Sequence, residues 1–565
     1  MTKYDNSNFE NWSLETRALH VGQDLDGNSN SRNVPIHQTT SYVFDSAEHA
    51  ANRFNLSDAG PIYTRLTNPT TGALEARIAS LEGGVDAVAF ASGQAAQTAA
   101  IINLASAGDH IVSSPRLYGG TNTLFTITLA RLGIEVTLVE DPDDPQSWAD
   151  AVKPNTRAFY AETFGNPIAD ILDIPAVAEV AHNNQVPLIV DNTIATAAVA
   201  RPLELGADIV VASTTKFYSG NGSSIGGILV DGGKFDWTVE RDGKPVFPYF
   251  VTPDAAYHGL KYADLGAPAF ALKARAGILR DTGAALSPFN AWVTLTGLET
   301  LQLRIDKHGE NAQKVAEYLE AHDKVTKVNY AGLDSSPYKE VKERLGYTST
   351  GSVLSFEIDG GKFDWTVERD GKPVFPYFVT PDAAYHGLKY ADLGAPAFAL
   401  KARAGILRDT GAALSPFNAW VTLTGLETLQ LRIDKHGENA QKVAEYLEAH
   451  DKVTKVNYAG LDSSPYKEVK ERLGYTSTGS VLSFEIDGGK DEAWAFIDAL
   501  KLHSNLANIG DTRSLVVHPA TTTHSQSDEE GLRVAGITQS TVRLSVGIEN
   551  IADIIADLEL GFAAI

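Results

Sequence analysis

The sequence predicts an α/β fold: a large, mostly parallel sheet domain followed by a smaller C-terminal α/β domain. Two observations carry that expectation. From about residue 61 onward strand-like apolar runs alternate with helical ones, and the tail mixes a few strands with amphipathic helices.

Taken in order, residues 1–60 are polar and turn-rich and read as an arm, of the sort that often covers a neighbouring subunit. The alternation then runs AVAFA, GQAAQTAAIINLA, HIVSS, TNTLFTITLARLG, VPLIVD and DIVVAS, which defines a catalytic-domain candidate at 61–290. A glycine turn at Asp231 leads into a Pro- and aromatic-rich stretch and then the long helical pattern GLETLQLRIDKHGENAQKVAEYLEAH. From SVLSFEI through RLSVGIENIADIIADLELGF the chain fits a smaller domain.

Self-comparison adds an unusual feature. Asp231–Ile358 recurs letter for letter as Asp359–Ile486, an offset of 128 residues, and a third DGGK at Asp487–Lys490 leads into different sequence. Solenoid repeats are short and degenerate, so this is not a repeat architecture. A slip between two DGGK tetrapeptides accounts for it, and 565 residues less that unit leaves a parent of 437. Only one copy can fill each place in a closed core. The N-terminal copy is made first, so the expectation is that the catalytic domain uses residues 231 to about 290. Residues 291–358 then start the C-terminal domain, 359–486 is surplus in an open register, and 487–565 completes that domain. Loop closure costs entropy that grows only logarithmically with length, so such an excess is tolerable.

Composition narrows the chemistry. A formal net charge of −24 and a pI near 5.0 argue against a phosphate-backbone or anionic-lipid grip, and so against nucleic-acid or membrane partners. With no cysteine there are no disulfides, thiolate metal sites or cysteine nucleophiles. The opening MTKYDNSNFENW lacks the pattern of a secretion signal, and no long uncharged run follows. A cytoplasmic protein is expected.

The strongest local signal is DIVVASTTKFYSGNG, an apolar strand ending in Ser213, Thr214, Thr215 and Lys216. Ligands bind at the carboxyl ends of such strands, and a partly desolvated lysine there is available as a neutral amine for imine formation. An ordinary lysine in a surface turn is the competing reading. AVAFASGQAAQTAA runs from strand through Ser92, Gly93 and Gln94 into a helix, offering free N–H groups to a phosphate, or merely a turn. Asp191 ends the apolar run VPLIVD, where a carboxylate needs a cation: a protonated pyridine nitrogen, or a structural Arg or Lys. Tyr118, in PRLYGGT, is placed to stack on a flat cofactor or to pack as an ordinary aromatic. His518 and His524 lie among threonines without carboxylate or thiol partners and read as structural or substrate-loop residues, so no metal is expected. SGNGSSIGG lacks the spacing of a dinucleotide-binding turn.

The ordered series YTRLTNPT, SGQAA, YGGT, ETFGNP, DNT, STTK and RLSVGIE resembles the Cys/Met-metabolism family of fold-type I pyridoxal-phosphate (PLP) enzymes along nearly the whole parent length. The resemblance implies pyridoxal 5'-phosphate carried as a Schiff base on Lys216, with Tyr118 stacked on the ring, Asp191 on the pyridine nitrogen and Asn166 near the ring hydroxyl. It implies a phosphate cradle of Gly93, Gln94, Ser213 and Thr215. Tyr63 and Arg65 would reach the phosphate of a neighbouring subunit, which implies a homotetramer of two catalytic dimers. Arg543 would bind the substrate α-carboxylate, with Asn508 in the substrate-binding segment.

Within the family, Asn508–Gln526, the aromatic segment after Lys234, and Asn221 in place of a frequent histidine are similar to the sulfhydrylase branch. That branch replaces the acetate of O-acetyl-L-homoserine with sulfide to give L-homocysteine. Cystathionine γ-synthase and γ-lyase activities share every cofactor residue and are the alternatives, as is a non-catalytic assembly produced by the repeat. Arg304 and His308 recur as Arg432 and His436, so family roles cannot be assigned to one copy. All the proposed cofactor residues lie outside the repeated unit.

Overall fold

A computed structural model of the chain describes residues 11–23, 31–54, 58, 60–254, 257, 259–358, 368–369, 372–373, 416–506, 508–524 and 529–565. Its large sheet contains β1 (Asp86–Phe90), β2 (His110–Ser113), β3 (Glu135–Leu138), β4 (Thr156–Glu162), β5 (Leu188–Asp191), β6 (Ile209–Ala212) and β7 (Gly227–Asp231), in the order β1-β7-β6-β5-β4-β2-β3. β3, β2, β4, β5 and β6 are mutually parallel. β7 runs antiparallel to both β1 and β6. A parallel return needs a crossover, usually helical, and the segment between β6 and β7, residues 213–226, contains no helix. β7 therefore turns straight back, and its first residues meet the carboxyl ends of β1 and β6.

Both faces of this sheet are covered, which is why its strands read as continuous apolar runs. Val190, Val210 and Val230 join Leu74, Ile78 and Trp148 in one core; Ile189, Ile209, Val211 and Leu229 join the opposite one. The second core is closed by the aromatic segment of the first repeat copy. Trp237 stacks on Phe250 at 4.4 Å and on Phe270 at 5.3 Å, with Phe247 edge-on at 5.3 Å.

The C-terminal domain has a five-stranded sheet ordered Val453–Asn457, Val481–Ile486, Thr541–Ser545, Leu515–Val517, Ser504–Asn505. Helices Leu429–Glu448, Lys490–Ala499 and Ile551–Ala563 pack on it through Val443, Leu447, Phe496 and Phe562. The strand beside Thr541–Ser545 thus comes from the second copy. The first-copy counterparts, Val325–Asn329 and Ser355–Ile358, pair with each other in a separate two-stranded sheet. This differs from a division in which 359–486 is the surplus. The physical reason is chain distance, because the second copy runs directly into the rest of this domain and closes the shorter loop.

Arm residues tie the two halves together. Helix Leu14–His20 buries Ala18 and Leu19, while Thr16 donates to Asp553 at 2.7 Å and the His20 ring lies 3.1 Å from Glu549. Among the described residues no helix is long and apolar enough to cross a membrane.

Candidate active site

The proposed cofactor residues of the large domain gather at the carboxyl edge of the sheet. The Ser92 side chain caps helix Gly93–Ile102 by accepting from Ala95 N, which leaves the N–H groups of Gly93 and Gln94 at the open end. Gly93 backs directly onto Ser213: a Cβ at residue 93 would stand 2.6 Å from the Ser213 Cβ. Only glycine allows the two halves of an anion cradle to approach so closely. Gln94 donates from Nε2 to Gly120 O at 3.0 Å, fixing the loop that carries Tyr118. Thr215 exchanges hydrogen bonds with Gly226, at 3.1 and 3.2 Å.

Lys216 follows β6 in a turn where Gly220 N donates to the Lys216 carbonyl at 2.8 Å. Its side chain is exposed. Gly220 adopts φ +74°, and any side chain there would run into the Arg304 guanidinium. That guanidinium donates to Phe217 O at 2.6 Å and Gly297 O at 2.7 Å, holding the lysine turn against the following helices. Burial brings Arg304 down to about 10.

Asp191 closes β5 and is buried. It accepts from Gln97 Nε2 at 3.0 Å, Tyr160 OH at 3.3 Å, Thr193 N at 2.9 Å and the Thr193 hydroxyl. Thr193 Oγ1 in turn accepts from Ser213 N at 2.8 Å, so the carboxylate is linked to the phosphate-cradle side. Its register neighbour on β4 is Glu162, also buried, whose Oε1 accepts from Tyr118 N at 2.6 Å. Burial raises both carboxyls above their ordinary range, and for Glu162 the nearby Asp191 charge adds to it. Two adjacent buried carboxyls with no Lys, Arg or His ion pair among the described residues make a site for a cation. A protonated pyridine ring satisfies that demand, and the PLP phosphate suits the Gly93–Ser213 cradle.

The other predicted residues differ in their surroundings. Tyr118 is exposed on its loop, and Asn166 precedes a cis peptide to Pro167. Arg65 lies over its own Tyr63 ring and donates to the Arg280 carbonyl; no described bond joins either residue to the Lys216 turn. The structure brings Arg543 and Asn508 together, with Arg543 NH2 donating to Asn508 O at 3.2 Å. His518 is buried and engaged by Thr521 Oγ1 and Gln539 O.

Sequence reasoning missed Glu162, Gln97, Thr193 and Tyr160, the residues that hold Asp191 and Tyr118. Glu162 was within reach, since it opens ETFGNP. It also missed Glu82, which accepts from Tyr218 OH and Asn192 Nδ2 and is pushed up to about 7 by burial.

The model of the Cys/Met metabolism PLP-dependent enzyme family matches residues 15–370 and 393–563. The chain is 58% identical over 565 residues to an O-acetyl-L-homoserine sulfhydrylase from Corynebacterium glutamicum, covering 100% of both. A protein of the same name from Leptospira meyeri is 41% identical, over 97% of this chain and 96% of that one. A homocysteine synthase from Schizosaccharomyces pombe is 36% identical, over 96% of each.

Proposed function

Because this chain belongs to the Cys/Met-metabolism family of PLP-dependent enzymes, we propose that it converts O-acetyl-L-homoserine and sulfide to L-homocysteine and acetate, a step of methionine biosynthesis. The observation that carries the reading is the buried Asp191–Glu162 pair, without an ion-pair partner among the described residues, on the strand edge that also presents Lys216. The names of the similar proteins supply the substrate.

In this reading Lys216 carries PLP, Tyr118 stacks on its ring, and Asn166 lies near its hydroxyl. Gly93, Gln94, Ser213 and Thr215 hold its phosphate, with Tyr63 and Arg65 contributed by a neighbouring subunit of a homotetramer. Bound PLP supplies the electron sink for charge released at the substrate Cα. Asp191, fixed by four hydrogen bonds, keeps the ring nitrogen protonated so that the sink is deep. Arg543 holds the α-carboxylate beside the Asn508 segment, a task suited to a planar guanidinium. Lys216 Nζ takes the Cα proton; a second proton leaves Cβ. Acetate then departs from Cγ with its C–O electron pair, and sulfide forms the new C–S bond there. A proton then returns to Cβ, and Lys216 returns the other to Cα, which completes L-homocysteine. The catalytic domain runs past 290 to include Leu295, Leu298, Leu301 and Ile305; the repeat arose by copying within a 437-residue parent, and the chain works in the cytoplasm.

Product analysis tests the reaction. Reconstituted protein given O-acetyl-L-homoserine is expected to release homocysteine with sulfide, and much less cystathionine with cysteine. Release of 2-oxobutanoate without added nucleophile as the main product would mark a γ-lyase instead.

A further inference from the structure

The repeat gives the molecule two chemically identical helix pairs, Pro288–Leu298 with Leu301–Glu320 and Pro416–Leu426 with Leu429–Glu448. Their apolar faces meet opposite fates. Leu295, Leu298, Leu301 and Ile305 are at most 4% exposed and sit in the core of the large domain. Their register mates Leu423, Leu426, Leu429 and Ile433 are 42–63% exposed. In the strands the order reverses: Phe356 and Ile358 are 43% and 45% exposed, whereas Phe484 and Ile486 are buried.

Polar contacts divide in the same way. Arg304 holds the Phe217 and Gly297 carbonyls, whereas Arg432 keeps only the local part of that set, donating to Gly425 O at 2.6 Å and Thr428 Oγ1 at 3.2 Å. Conversely, the His436 ring bonds Val546 O at 2.6 Å, and Asn439 donates to Gly547 O at 3.0 Å and Glu549 O at 2.8 Å. Among the described residues His308 and Asn311 make no such bond to the C-terminal domain. Arg432, His436 and Asn439 stand at i, i+4 and i+7 on one helix face, so a single copy can meet both docks at once.

We propose that the face of Leu423, Leu426, Leu429 and Ile433 is an interaction surface for the large domain of its own chain, fitting the groove now filled by Leu295, Leu298, Leu301 and Ile305, and that the two copies exchange there. Sequence identity makes the contacts in the groove the same for either occupant. What distinguishes them is chain closure, which changes only with the logarithm of loop length. The move is short, because the helix pairs flank one cleft of about 590 Å³ lined by Trp292, Thr296 and Arg304 from one copy and Trp420, Thr424 and Arg432 from the other. Tethering favours the chain's own segment over one from a second molecule through its higher effective concentration. After exchange, Leu429–Glu448 would join the turn that follows Lys216 directly to the C-terminal domain, a link now shared between two helices.

Leu298→Asp, Leu426→Asp and the double variant test this, read by the folded fraction from unfolding curves and by size on gel filtration at two concentrations. Exchange predicts that each single variant stays within about twofold of the unmodified chain, since an intact twin fills the groove, and that the double variant loses at least about tenfold. Either single variant as damaged as the double overturns the proposal, as does a double variant that folds like the singles. Rescue of Leu298→Asp only at high concentration, with a larger species, overturns it in favour of a groove filled by a second molecule.

Discussion

Segments 288–358 and 416–486 are spelled identically, yet the first buries the helix face around Leu298 and Ile305 and the second buries its strand face. Residues 61–230 have no twin, and every position there has one place to go. The contrast teaches that burial belongs to the partner as much as to the side chain. Leu298 and Leu426 have the same apolar surface to hide, and only the first has found helix Pro69–Glu82 to hide it against. A residue that occurs twice is insured; a residue that occurs once is not.

Lys216 is the sharpest case of the uninsured kind. Lys216→Ala is expected to lose the lysine-linked visible absorption of reconstituted protein and, from proton transfer alone, about 100- to 10,000-fold in kcat. Steady-state rates and a spectrum check it. Phe496, which packs on Phe484 at 5.6 Å and Phe562 at 4.8 Å, also has no twin. Phe496→Ala should cost about 3–5 kcal/mol in denaturant unfolding, the usual toll for emptying an aromatic core site.

Glu82 gives the comparison a pH axis. Its folded value of about 7 lies above the ordinary 4.5, so the native state keeps a proton that the unfolded chain releases. The stabilisation is therefore fully present below about pH 4.5, declines as pH rises, and is gone above about 7. Its full extent is about 3 kcal/mol. Glu82→Gln should flatten that stretch of the stability profile in melts run across it. Smallest of all are changes to duplicated residues. Phe484→Ala should cost no more than about 1–2 kcal/mol, because the strand carrying Phe356 can take its place for a loop-closure difference. Phe356→Ala, already exposed, should stay within about 0.5 kcal/mol. A Phe484→Ala loss as large as that of Phe496→Ala would break the comparison.

Much of the large domain was legible in the sequence. The runs ending in Asp191 and Lys216 are apolar because both sheet faces are covered, and the groups that terminate them are polar because the strand ends open to a site. The direction of β7 was harder, since GGILV reads the same whether the strand returns parallel or antiparallel; the lack of a helix in the preceding segment held the answer. Glu162, Gln97 and Thr193 were invisible as a group because they come from three separate segments and meet only around Asp191 and Tyr118. The first copy does fill the large domain from Trp237 to Phe270, as its earlier synthesis suggested, but the copy that supplies the C-terminal sheet was not legible. Identical letters carry no information about which of two equal segments meets Thr541–Ser545, and that choice is made by connectivity.

The central claim is a covalent link between PLP and Lys216, at the strand edge that houses Asp191. Reducing the reconstituted protein with borohydride and mapping its peptides tests it most directly. The account predicts a pyridoxyl-phosphate adduct on the peptide containing Lys216. An adduct confined to other lysines, or none in protein that has taken up the cofactor, would contradict it.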